Sequence, residues 1–505
     1  MQKIKTKVLI IASALILGFT TISCKNDDKI IDVIKPDLTF FVLSNGNQLL
    51  KINANNSSTP TSTTPIVGLL PNDLLTAIDF RPATGELYGV SSQSRIYVIN
   101  QENGTARVIG TTVLTPTISG TAVGFDFNPT VDRIRLVTNT GQNLRLNPET
   151  GAVAAVDVAI NGGMSPKIES VAYTNNTAGS TATVLYNIDS QTDKLYKQDP
   201  PNNGTLVEVG ALGTDISMSA GFDINPSGDV ALTAVMVSSK WELHQIDLMT
   251  GKLTKLGDLP AGNITGLAIP TSPVAYAIDE SNNLLIFNFM NIGTPISKTI
   301  TGLQAGETIL GIDMRPATGQ LYGLGSSSRL YVLNTSSGVA TVIGTVPFAT
   351  LLNGTSFGFD FNPTVDRIRC ISNTGQNLRL QPETGLIAAI DGVLNPGTPS
   401  VTASAYTNNF SGATTTVLYN IDNTTDKLSK QDPPNNGTQV DVGSLGINVE
   451  AVSGFDITSR SGVGYATLKV ADKSSLYTIN LTSGAATKMA DMPTTVRAFA
   501  VGLGF

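Results

Sequence analysis

The sequence predicts an all-β protein built as two tandem β-propellers, each five-bladed. Three observations carry this expectation. The 28-residue stretch Gly124–Gly151 returns as Gly358–Gly385, offset by 234, with four changes: Leu136/Cys370, Val137/Ile371, Thr138/Ser372 and Asn147/Gln381. A shorter phrase, small–apolar–Asp/Ala–apolar, centres on Asp79, Asp126, Ala172, Asp223 and Ala268, then on Asp313, Asp360, Ala405, Asp456 and Ala500, at spacings of 44 to 51 residues. Helix-period patterns are nearly absent after residue 30, and units of four short strands at that spacing match propeller blades.

The first 24 residues read as a secretory signal: Lys3, Lys5 and Lys7 precede the apolar run Val8–Phe19, then small residues and Cys24. That run is too short for a comfortable membrane span. Thr21-Ile22-Ser23-Cys24 resembles a bacterial lipoprotein signal, which implies a lipidated Cys24 as mature N-terminus and lipid anchor. The following Lys25-Asn26-Asp27-Asp28 resembles the acidic export tag of Bacteroidetes surface lipoproteins. The expected address is therefore the outer membrane or cell surface, with the membrane as a partner through lipid. Residues 25–37 serve as a tether.

Within each unit the strands follow one another by local chemistry. After the Asp79 phrase come Leu87–Gly89, the strand Arg95–Asn100, a Gly turn and the apolar strand Ala106–Gly110; Leu321–Gly323, Arg329–Asn334 and Ala340–Gly344 repeat them. Ten units in one ring exceed the usual range of about four to eight blades, and the long repeat divides them into two sets of five. The first unit of each half lacks a leading strand. Gly266–Ile269 is expected to complete Phe40–Leu70, and Ala498–Phe505 to complete Val274–Leu303. Such closure hides edges that would otherwise recruit other chains. The domains are then 38–270 and 273–505.

The copied stretch contains a β-hairpin. Val131–Thr138 alternates, Asn139-Thr140-Gly141 is turn chemistry, and Gln142–Leu146 alternates again. A three-residue loop with Gly in the left-handed position sets Leu136 opposite Leu144 and Arg135 opposite Arg145. Two cations directly opposite are unfavourable unless acids answer them. Asp126 and Asp132 are the nearest acids in sequence.

GFDFNPTVDRIR, followed by NTGQNLRL and PETG, resembles the bacterial family known as domain of unknown function 4394, over roughly Leu38–Pro270 and Pro273–Phe505. Membership implies a propeller-like exported domain and transfers no catalytic residue.

Composition narrows the function. Charged residues make up 14%, Gly numbers 48, and the net charge of −7 includes no basic run, so nucleic acid is not an expected partner. With Cys24 on lipid, Cys370 has no partner for a disulfide and reads as a small buried hydrophobe. His244 is the single histidine, and its counterpart is Tyr477, which excludes a His-based triad or zinc site shared by both halves. Asp79, Asp223 and their copies recur with the blades and read as blade-to-blade hydrogen-bonding groups. A second copied patch, Tyr186–Thr205 and Tyr419–Thr438, agrees at 17 of 20 positions. It lacks the calcium-loop ligand order. No cofactor and no metal ligand are assigned.

The candidate binding residues are Asp126, Asp132, Arg133, Arg135, Asn139, Gln142 and Arg145, with copies Asp360, Asp366, Arg367, Arg369, Asn373, Gln376 and Arg379; Asn143 and Asn377 accompany them. As a ligand site, the arginine forks would hold carboxylates or sulfates and the amides hydroxyls, which suits an anionic saccharide or a protein ligand. As a lattice, the same residues would pair with one another between blades, and this is the preferred reading. The expected function is a binding or scaffold lipoprotein without catalytic residues. The alternative is a carbohydrate-active lyase or hydrolase using the Asp/Arg patch.

Overall fold

The structure is a computed structural model that describes residues 33–505; the expected signal peptide, Cys24 and residues 25–32 of the expected tether lie outside the described residues. Residues 35–505 form one compact unit. Within it the chain builds ten four-stranded antiparallel sheets and only three short 3₁₀ turns.

Apolar and β-branched residues fill the strands, and residues in the left-handed region, chiefly Gly with some Asn, Asp and Ser, turn the chain between them. The hairpin at the centre of the copied stretch has the expected register. Leu144 faces Leu136 and Arg145 faces Arg135, while Gly141 takes φ +86° and its N–H donates to Thr138 O at 2.8 Å. The first strand starts later than the alternation suggests, at Arg133, because Asp132 adopts φ +50° and closes a turn on Asn128.

Two sheets are completed from a distance. Ile264–Ala268 pairs with Thr39–Ser44, placing Ala268 opposite Phe41 and Leu267 opposite Val42. Val496–Val501 pairs with Ala275–Asp279 in the same way. Both strands begin two residues before their expected starts. The last residues, Leu503–Phe505, leave the sheet and reach the first half, where Gly504 N–H donates to Thr84 O at 2.8 Å.

Each sheet's innermost strand carries the small–apolar–Asp/Ala–apolar phrase, and these strands pack on one another. In the first half, Leu75–Phe80, Val123–Asn128, Ile168–Tyr173, Met218–Ile224 and Ile264–Ala268 touch in that order, and the last also touches the first. The corresponding strands of the second half, from Ile309–Arg315 to Val496–Val501, do the same. Crowding there explains the small residue: a Cβ at Gly221 would lie 2.3 Å from the backbone nitrogen of Leu267. The cores lie between neighbouring sheets, as where Tyr88, Phe125, Phe127, Leu136 and Leu144 interleave.

The two halves are in contact. Ala178 of the first half packs in one cluster with Tyr276 and Ile286 of the second. The Tyr276 hydroxyl donates to Ala83 O at 2.8 Å, and Gln320 Nε2 donates to Glu149 Oε2 at 3.1 Å.

Candidate functional site

Arg135 is buried and its donors are used within the protein. Nη1 donates to Asp157 Oδ2 and to Asn143 Oδ1, both at 2.7 Å; Nη2 donates to Asn202 Oδ1 at 2.7 Å. Arg145 grips the same Asp157 with two bonds, from Nε at 2.8 Å and Nη2 at 2.9 Å. One carboxylate thus separates the two facing cations. Burial would raise the Asp157 carboxyl, but the bonds from Arg145 and Arg135 outweigh it and hold it below the usual carboxylate range. The second half repeats the arrangement: Arg369 contacts Asp391, Asn377 and Asn435, and Arg379 binds Asp391 twice.

The acid that answers the arginine pair is therefore Asp157, not Asp126 or Asp132 as their sequence proximity suggests. Asp132 turns to Arg81, which donates from Nε at 2.9 Å and also from Nη2; Asp366 turns to Arg315. Asp126 faces Arg135 in register yet accepts the backbone N–H of Tyr173 at 3.1 Å. Arg133 and Arg367 donate to the carbonyls of Asp132 and Asp366, both at 2.8 Å. Asn139 and Gln142 fasten the hairpin loop to the segment before it: Thr121 N–H reaches Asn139 Oδ1 at 3.1 Å and Ser119 N–H reaches Gln142 Oε1 at 3.0 Å. Asn373 and Gln376 do the same to Thr355 and Asn353, both at 3.0 Å. The residues gathered from sequence do not converge on one open surface; most are spent on holding strands and loops together.

The innermost-strand acids also bond across sheets, as expected. Asp79 Oδ2 accepts Phe127 N–H at 2.8 Å and Asp223 Oδ2 accepts Ile269 N–H at 2.5 Å. Asp313 and Asp456 make the matching bonds to Phe361 and Val501, both at 2.7 Å. Burial pushes all six innermost carboxyls up, Asp223 and Asp456 to about 7. Cys370 is buried, and burial pushes its thiol up to about 12, which fits a packing role.

An open, partly apolar site lies elsewhere, between the halves. A cleft of about 180 Å³ is walled by Leu87, Asn100, Gln101 and Arg107 on one side and by Phe410, Ser459 and Leu503 on the other. Phe410 is half-buried. Arg107 Nε is buried without a hydrogen-bond partner. Burial raises the neighbouring Glu86 carboxyl, outweighing the arginines Arg107 and Arg81. Arg460 and Glu102 form an ion pair across the cleft's rim.

Sequence reading missed Arg81, Asp157, Asn202 and the cleft. The first three carried a signal: Arg315, Asp391 and Asn435 stand at the matching places of the second half. The cleft carried none, because Arg107 and Phe410 come from units about 300 residues apart with no shared motif.

No curated protein matches this chain. Two solved structures from B. thetaiotaomicron show distant likeness. The extracellular domain of a one-component system protein is 11% identical with a TM-score of 0.25, covering 89% of this chain and 59% of that one. The extracellular domain of a hybrid two-component system protein is 11% identical with a TM-score of 0.26, covering 91% and 58%. This chain thus spans less than two thirds of either, and likenesses this distant do not bear on function. The family described as Domain of unknown function (DUF4394) matches residues 48–268 and 283–501, most of the chain, and the protein belongs to that family as two tandem copies.

Proposed function

We propose that this protein is an exported, lipid-anchored binding module of two five-bladed β-propellers, with its ligand site in the cleft between the halves. The propeller reading rests on five innermost strands per half that touch in cyclic order, with a terminal strand completing the first sheet. The anchor rests on the basic start, the short apolar run and Cys24 ahead of an acidic cluster, and it puts the protein at the outer membrane or cell surface.

The cleft carries the functional reading. Phe410 lines it together with the polar residues Asn100, Gln101, Asn103 and Arg107. That combination suits a saccharide, whose C–H face stacks on an aromatic ring while its hydroxyls take hydrogen bonds. The unpartnered Nε of Arg107 adds a donor suited to an acidic sugar. Catalysis by the Asp/Arg patch is disfavoured because Asp132 and Asp366 are committed to arginines and Asp126 and Asp360 are buried, so the patch offers no open pair of carboxyls for acid–base work.

A glycan array probed with residues 25–505, followed by calorimetry on any hit, tests the proposal. Phe410→Ala and Arg107→Gln should each weaken binding about tenfold or more, roughly 1.4 kcal/mol, while Arg145→Gln leaves it unchanged. Binding indifferent to both cleft variants, or lost with Arg145→Gln, overturns it.

A further inference from the structure

Three carboxylates converge where the innermost strands of each half meet. They belong to Asp79, Asp126 and Asp223 in the first half and to Asp313, Asp360 and Asp456 in the second, and in each set one oxygen per residue lies within 4.8 Å of the other two. All six residues are 1% exposed. Among the described residues, no Lys, Arg or His forms an ion pair with any of them. Elsewhere in the fold, Asp132, Asp157 and Asp391 each meet a guanidinium.

Backbone N–H groups answer part of the first set. Asp79 takes those of Phe80 and Phe127, Asp126 that of Tyr173, and Asp223 those of Ile224 and Ile269. One atom is left over: Asp126 Oδ2 is buried with no hydrogen-bond partner. Its residue stands opposite Arg135 in register, yet that guanidinium is taken by Asp157, Asn143 and Asn202. A buried carboxyl oxygen without a donor is unsatisfied, and a bound cation would satisfy it.

The spacing admits a calcium-sized ion. A point among three oxygens no more than 4.8 Å apart can lie within about 2.8 Å of each, a reach compatible with the ~2.3–2.6 Å of calcium–oxygen bonds. Along the innermost strands from each set lies a void of about 10 Å³, room for about one water. In the first half its lining includes Ala77, Gly124 and Gly221, each two residues before an acid of the set and so on the same strand face.

We propose that each half binds one calcium-class divalent cation, held by Asp79, Asp126 and Asp223 in the first and by Asp313, Asp360 and Asp456 in the second. The ion ties three innermost strands together at the point where the sheets meet. Its role is to stabilise the fold that presents the cleft, so the proposal stands independently of the ligand.

Elemental analysis and thermal melts of residues 25–505 test it, with calcium chloride as probe after chelator treatment. The wild-type chain should hold two ions, Asp126→Asn one, and Asp126→Asn with Asp360→Asn none. Calcium should raise the melting temperature of the chelated wild type and leave that of the double variant unchanged. Asparagine keeps the shape of a protonated acid, and circular dichroism before and after substitution confirms that each variant is folded. No bound ion together with a melt indifferent to calcium and chelator overturns the proposal and assigns the charge balance to protons. An ion count unchanged by either substitution overturns it as well, by placing the ion elsewhere.

Discussion

Arg135 Nη2 donates to Asn202 Oδ1 at 2.7 Å, and Arg369 makes the same bond to Asn435 at 2.9 Å. The two most closely copied stretches of the sequence are thus parts of one construction. The Pro-Pro-Asn-Asn turn of one sheet fastens the buried arginine of the sheet before it, which gives a physical reason for both to return together in the second half. Replacing Asn202 by Ala removes one acceptor from a buried guanidinium, and unfolding measurements should show a loss of about 1 kcal/mol.

The first half should fold alone. A fragment of residues 38–270 keeps Ile264–Ala268 and with it the completed first sheet. It should melt in one cooperative step. Ending the fragment at Pro260 exposes the edge of Thr39–Ser44 and uncovers Phe41 and Leu43, so it should aggregate or lose the transition. A stable fragment ending at Pro260 would show that the terminal strand is dispensable.

Much of this was legible because the chain carries its own second copy. The Asn-Thr-Gly loop dictated a register, and Arg135 faces Arg145 as it requires. The distant pairing of the terminal strands was legible for a similar reason, since each first unit lacked a leading strand. The counter-acid was not. Asp126 and Asp132 are close to the arginines in sequence, but the turn at Asp132 points its carboxylate to Arg81, while Asp157 arrives just past the end of the fourth strand of the same sheet. Proximity along the chain says little about pairing across a sheet. The cleft was hidden more completely, since it exists only where two halves meet.

His244 gives a pH effect confined to one half. Burial lowers its pKa from 6.5 against the opposing pull of Glu242, and Lys255 lies on the far side of that carboxylate. The folded state therefore binds its proton less readily than the unfolded chain. The neutral ring's contribution is fully present above about pH 6.5 and is lost as pH falls through the lower folded value. His244→Tyr places the counterpart residue of the second half there. Melts between pH 5 and 7 should show a smaller acid-side decline for the variant than for the wild type, and identical declines would contradict this reading.

Lipidation at Cys24 is testable by intact mass. Protein extracted from membranes should lack residues 1–23 and carry acyl chains on Cys24, and Cys24→Ala should release it from the membrane fraction. An unmodified mature protein in the medium would contradict the anchor.

The central claim is that the copied Asp/Arg residues are framework and not a ligand surface. Thermal melts of Arg135→Gln and Arg145→Gln in the chain of residues 25–505 address it most directly. The Arg135 side chain is 2% exposed and that of Arg145 is 36%. Loss of the buried partner should cost about 3 kcal/mol, a fall of roughly 6–12 °C, whereas loss of the half-exposed one should cost about 1 kcal/mol or less. A melting temperature unchanged by Arg135→Gln would contradict the claim and return the patch to the list of ligand sites.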